Sequence, residues 1–86
     1  MKEKVYNIEN LGNPYLIPLQ DIKIPMRFLT HPPKIDKLME RVRWFANTGK
    51  FSVPIIIDKN FVLRDGYTSY LAAKRYQKVN VEVYFI

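Results

Sequence analysis

The chain has 86 residues, 48% hydrophobic and 14% aromatic, with 14 Lys and Arg against 8 Asp and Glu and a formal charge of +6; this supports one globular core and favours an anionic partner such as nucleic acid. It has no cysteine, and its one histidine, His31, has no His or Cys neighbour, which excludes disulfides and thiol chemistry and argues against a metal site or any other cofactor. No apolar run approaches the ~20 residues of a membrane span and no signal peptide opens the chain, so no membrane role and a cytoplasmic location are expected.

Residues 1–14, MKEKVYNIENLGNP, show little periodicity and end in the turn signal Gly-Asn-Pro; an arm or a short edge strand is expected there. YLIPLQDIKIP then alternates loosely through Ile17, Leu19, Ile22 and Ile24. Pro18 and Pro25 interrupt it, which predicts an edge strand or two short pieces. RFLTHPP reads as a loop, because its prolines forbid a helix interior. From Lys34 to Thr48 the period becomes helical, with Ile35, Leu38, Met39, Val42, Phe45 and Ala46 in one apolar stripe. Pro33 suits the start of that helix and Gly49 its end. Lys37, Arg41 and Trp44 form a second row beside the stripe, spaced three and four residues apart.

PIIID is a short apolar run that predicts a buried strand, Asp58-Lys59-Asn60 a turn, and FVLR the second arm of a hairpin. Asp65 is placed to cap a helix from about Gly66 to Tyr76 by accepting the amide hydrogens of its first turn. The Ser69, Ala72, Ala73 and Tyr76 face of that helix is small near its start and suits close packing on a sheet. VNVEVYFI alternates as a last strand, with Val79, Val81, Val83 and Phe85 on one face. The order β-α-β-β-α-β predicts a single α+β domain over residues 1–86, with a mixed β-sheet and two main helices.

The stretch RDGYTSYLAAK, residues 64–74, carries the most chemistry. A helix start gathers unpaired amide hydrogens and the positive end of the helix dipole. Glycine allows close approach, and hydroxyls can donate to phosphate oxygens, so Asp65, Gly66, Tyr67, Thr68 and Ser69 have the makings of an anion cradle. The plainer alternative is a capped helix whose hydroxyls face water, with the capping carboxylate competing for the same amides.

In wider context the chain resembles the ParB N-terminal domain of the ParB/sulfiredoxin superfamily, the ParB-like nuclease domain family. The matching residues are Pro54-Ile55-Ile56-Ile57, Asp65-Gly66, Ala72-Ala73 and Val81-Glu82-Val83, with Pro25 and Arg27 in place of the family's Pro-x-Arg segment. Asn47-Thr48-Gly49-Lys50-Phe51 is similar to the family's segment ahead of the "PI.V" strand, so the resemblance covers residues 16–86. It implies the fold of that family and a nucleotide-binding-like turn at residues 65–69. Where ParB proteins carry arginines that grip a cytidine nucleotide, this chain has Thr68 and Ser69; where sulfiredoxins carry their reactive cysteine it has Tyr67. Losing two charged hydrogen-bonding groups implies a loss of roughly 3–6 kcal/mol of nucleotide binding, unless Arg64 or Arg27 folds over the turn. The chain ends at Ile86, where the family's DNA-reading helical domain would follow.

The expected function is a stand-alone, non-catalytic ParB-like domain that binds nucleic acid or assists a DNA-associated assembly of a bacterium, plasmid, phage or other mobile element. Its expected surface is Arg41, Trp44, Arg64, Lys74 and Arg75, cations interleaved with an aromatic. The alternatives are a nucleotide hydrolase or metal-dependent nuclease using Asp58 and Asp65, and a regulator that acts through a protein partner.

Overall fold

The structure is a computed structural model and describes residues 11–86. The arm or strand expected at 1–14 lies outside the described residues up to position 10; residues 11–14 are irregular. Strand β1, Tyr15–Pro18, leads through a 3₁₀ turn, Leu19–Asp21, to a one-turn helix α1, Met26–Leu29. Helix α2, Ile35–Thr48, strands β2, Ile56–Ile57, and β3, Leu63–Asp65, helix α3, Tyr67–Arg75, and strand β4, Asn80–Phe85, complete the order.

The four strands form one mixed sheet in the order β1-β4-β2-β3. Strand β4 runs antiparallel to β1 and parallel to β2, and β2 and β3 form the expected hairpin. The edge-strand expectation for residues 15–24 is met in two pieces. β1 borders β4, and Lys23 bridges in parallel to Val62, donating its amide to Phe61 and accepting that of Leu63. The pairing runs through Pro18 to the Leu19 amide, which donates to the Val79 carbonyl at 2.9 Å, and the 3₁₀ turn Leu19–Asp21 then separates the two pieces.

Ile55, Ile56 and Ile57 are all fully buried, as a strand covered on both faces requires. Ile17, Leu19, Ile22, Ile55, Ile57, Leu63, Ala73, Val81 and Val83 form the core on one side of the sheet. Ala72 and Ala73 let α3 approach closely, both being buried.

Three expectations are corrected. RFLTHPP is not all loop, because α1 fits a single turn between Pro25 and the Pro32-Pro33 pair. Thr30 closes that turn by donating its hydroxyl to the Met26 carbonyl at 3.1 Å. The apolar stripe of α2 is not a core face along its length: Val42 alone is buried, while Ile35 is 68% exposed. The helix packs on α3 rather than into the main core. Val79 is 76% exposed and precedes the strand. The reason is the end of α3, where Gln77 takes a left-handed φ of 54° and the Gln77 and Lys78 amides donate back to the Lys74 and Ala73 carbonyls. That Schellman turn sets the strand's start at Asn80.

Candidate functional site

The β2–β3 hairpin presents the turn that leads into α3. Asp58 stabilises the hairpin loop, its Oδ1 accepting the Asn60 and Val62 amides at 2.8 and 3.1 Å. Its Oδ2 lies 3.5 Å from the Arg64 guanidinium. The Val62 amide is the main cause that holds the Asp58 carboxyl below its ordinary value of 3.8; the Asn60 amide and Arg64 add to it, and desolvation opposes them.

Asp65 does not cap α3. It ends β3, and its Oδ1 accepts the Gly66 amide at 2.8 Å. Gly66 itself is the residue that starts the helix, at φ 88°, and no side chain caps the first turn. The cause is close packing: a Cβ on Gly66 would stand 2.2 Å from the Pro54 carbonyl oxygen and 2.8 Å from the Ile55 Cα. The left-handed turn this forces leaves Asp65 reaching only the Gly66 amide. The carboxylate therefore does not compete for the amides of the first helical turn.

Ser69 is also corrected. It is buried, and its hydroxyl donates to the Val53 carbonyl, tying α3 to the segment before β2. That hydroxyl is committed inside the protein and cannot join a phosphate cradle. Thr68, half-buried, faces a cleft.

This cleft, of about 760 Å³, joins elements that the sequence kept apart. The hairpin and helix start contribute Arg64, Asp65, Gly66, Tyr67 and Thr68. Helix α1 contributes Arg27 and Phe28, and α2 contributes Lys37 and Arg41. His31 lies at the wall, its Nδ1 3.0 Å from the Thr30 hydroxyl and 3.3 Å from the Arg27 carbonyl. Phe28 packs on Tyr67 at 5.2 Å between ring centroids, and the Arg27 guanidinium sits over Phe28 at 4.8 Å. That stack brings Arg27 to the mouth of the cleft. Arg41 donates to the Ser52 hydroxyl at 3.1 Å, while its Nε is buried without an acceptor among the described residues. Four permanent cations thus line a cleft with one acid, Asp65. Arg64 is partly neutralised by Asp58 at 3.5 Å; an anion placed among the others would relieve their mutual repulsion.

The sequence-predicted residues therefore divide. Asp65, Gly66, Tyr67, Thr68 and Arg27 meet at the cleft, as do Arg41 and Arg64. Trp44 stands outside it, exposed on α2. Lys74 and Arg75 lie at the far end of α3, about 9 Å or more along the helix axis from Thr68, with Lys74 in a separate shallow groove beside Lys78 and Tyr70. The five surface residues named from sequence do not form one continuous patch. Lys37 and His31 were not assigned to the site, although the Lys37–Arg41 spacing already put those two cations on one row.

The fold is that of ParB N-domains and of sulfiredoxin. One crystal form of a pNOB8-like ParB N-domain matches with a TM-score of 0.70 at 22% identity, covering 99% of this chain and 31% of that one. A second pNOB8-like ParB N-domain structure matches with a TM-score of 0.68 at 22% identity, covering 84% of this chain and 26% of that one. The sulfiredoxin of Arabidopsis thaliana matches with a TM-score of 0.67 at 18% identity over 85% of each chain. The present chain thus spans under a third of the ParB chains it is similar to. No protein-family model and no curated protein matches the sequence. Among the described residues no helix is long and apolar enough to cross a membrane.

Proposed function

We propose that residues 1–86 act in the cytoplasm as one non-catalytic domain that binds nucleic acid through its phosphates in the basic cleft. The observation that carries this reading is the convergence of Arg27, Lys37, Arg41 and Arg64 from three elements on the uncapped start of α3. Guanidinium groups suit phosphate because they present paired donors in a fixed plane. The non-catalytic part rests on the acids. Asp58 is engaged in the hairpin loop and with Arg64, and Asp65 with the Gly66 amide. The ParB likeness of the fold is compatible with a place in a DNA-associated assembly.

The test is fluorescence anisotropy with labelled single- and double-stranded DNA at several salt concentrations. Four neutralised phosphates should give a slope of log K against log salt of about −3 for a single strand. Arg41→Glu should weaken binding to every sequence, and Lys74→Glu, outside the cleft, should do so much less. Equal losses in the two variants would show diffuse attraction to a basic surface instead of binding in the cleft.

A further inference from the structure

The cation row of α2 continues past the rim of the cleft. Lys37, Arg41 and Trp44 fall within about 60° of one another around the helix, with Trp44 about 4.5 Å along the axis from Arg41 and about 10.5 Å from Lys37. Trp44 is 51% exposed. The aromatic rings around it pair elsewhere: Phe45, the next residue, stacks on Phe51 at 4.8 Å and leans on Tyr76 at 5.3 Å. A single exposed apolar side chain is ordinary on a protein surface. An exposed indole in line with two cations that line the basic cleft is a more specific arrangement.

We propose that Trp44 is a base-stacking platform and that the ligand of the cleft is a single strand of nucleic acid. This rests on the reading of the cleft as a phosphate site. The phosphates would follow Lys37 and Arg41 into the cleft, and the base of the neighbouring nucleotide would lie on the indole. A duplex keeps its bases stacked on one another, so a lone ring on a helix surface gains nothing from it; an unpaired base has a free face. Charge sets the path of the strand. Glu40, four residues before Trp44, flanks the ring on the side away from Arg41 and repels phosphate there. The backbone therefore crosses on the Arg41 side, where the Ser52 contact holds one end of the guanidinium. Stacking on an indole tolerates every base, so little sequence preference is expected.

Trp44 is the only tryptophan in the sequence, so intrinsic fluorescence reports on this ring alone. The full chain is titrated with oligo-dT, oligo-rU, a duplex of equal length and a single strand of abasic sites. Emission is followed in one channel and the anisotropy of a labelled oligonucleotide in another. Oligo-dT and oligo-rU should both bind and quench the indole, and their relative affinities separate DNA from RNA as the source of the strand. The abasic strand and the duplex should bind without quenching. Trp44→Ala should weaken oligo-dT binding by roughly 5- to 150-fold, the range found for loss of one stacked base, and leave the abasic strand unchanged. Trp44→Phe should recover part of the loss. Oligo-dT that binds without quenching, or binds Trp44→Ala as well as the parent, would overturn the platform and leave the phosphate site standing. No binding of any strand at low salt would remove both.

Discussion

Replacing Gly66 by alanine is the sharpest probe of how the site is built. The residue sits at φ 88°, and the added Cβ would stand 2.2 Å from the Pro54 carbonyl oxygen and 2.8 Å from the Ile55 Cα. Both neighbours are backbone, so no side chain can swing aside. The left-handed conformation costs an L-residue about 1–2 kcal/mol, and forcing packed backbone apart costs about 1–3 kcal/mol more. The total, about 2–5 kcal/mol, corresponds to a fall in Tm on the order of 10–40 °C for a domain of this size. Gly49 is the matched control. It ends α2 at φ 72° with nothing within 4 Å of an added Cβ, so Gly49→Ala should lower Tm by only roughly 4–16 °C. Thermal melts followed by circular dichroism at neutral pH measure both. Equal shifts in the two variants would refute the close packing of the turn on Pro54, and with it the reason given for the uncapped start of α3.

Asp58→Ala should destabilise the protein at pH 7. Because the folded carboxyl is held below 3.8, its contribution is fully present above the unfolded value and is lost as pH falls through the folded one. The Tm gap between parent and variant should therefore narrow below about pH 4, and a gap that widens in acid would contradict the assigned bonds. Ser69→Ala removes the donor to the Val53 carbonyl and should cost roughly 1–3 kcal/mol in urea melts while leaving DNA affinity unchanged; weakened binding at unchanged stability would return Ser69 to the cradle. CTP, ATP and GTP with magnesium should bind only in the millimolar range by calorimetry, roughly what remains of a micromolar site after losing two charged bonds. A Kd of tens of micromolar or tighter would show that Arg27 and Arg64 replace the missing guanidiniums.

The elements set by local chemistry were legible in the sequence. The isoleucine run at 55–57 and the alternation of 80–85 express two faces or one face of burial, and the period of 34–48 a one-sided apolar stripe with Val42 at its buried centre, which a linear pattern records. Helix α1 was not legible, since a single turn between prolines has no period to show. The destination of each polar group was hidden for a different reason. Ser69 and Thr68 are adjacent hydroxyls with equal local claims, and only the approach of Val53 decides that one is buried. The Lys37–Arg41 row could be read on α2, but its convergence with Arg27 and Arg64 depends on how three elements meet. Asp65 followed the usual capping pattern, and the close contact of Gly66 with Pro54 overrode it.

Strand β4 pairs on one side with β1 and on the other with β2, which bears on how the chain acquires its shape. The hairpin and the helices close over short stretches and can form within microseconds. β1 meets its partner only when a strand far along the chain docks beside it, and such long-range pairing is intrinsically slow. Until then Val81 and Val83 are missing from the core and the sheet edges at β1 and β2 stand open. Docking of β4 is therefore the step expected to limit the folding rate. Amides of residues 80–85 should accordingly exchange with solvent only through global unfolding.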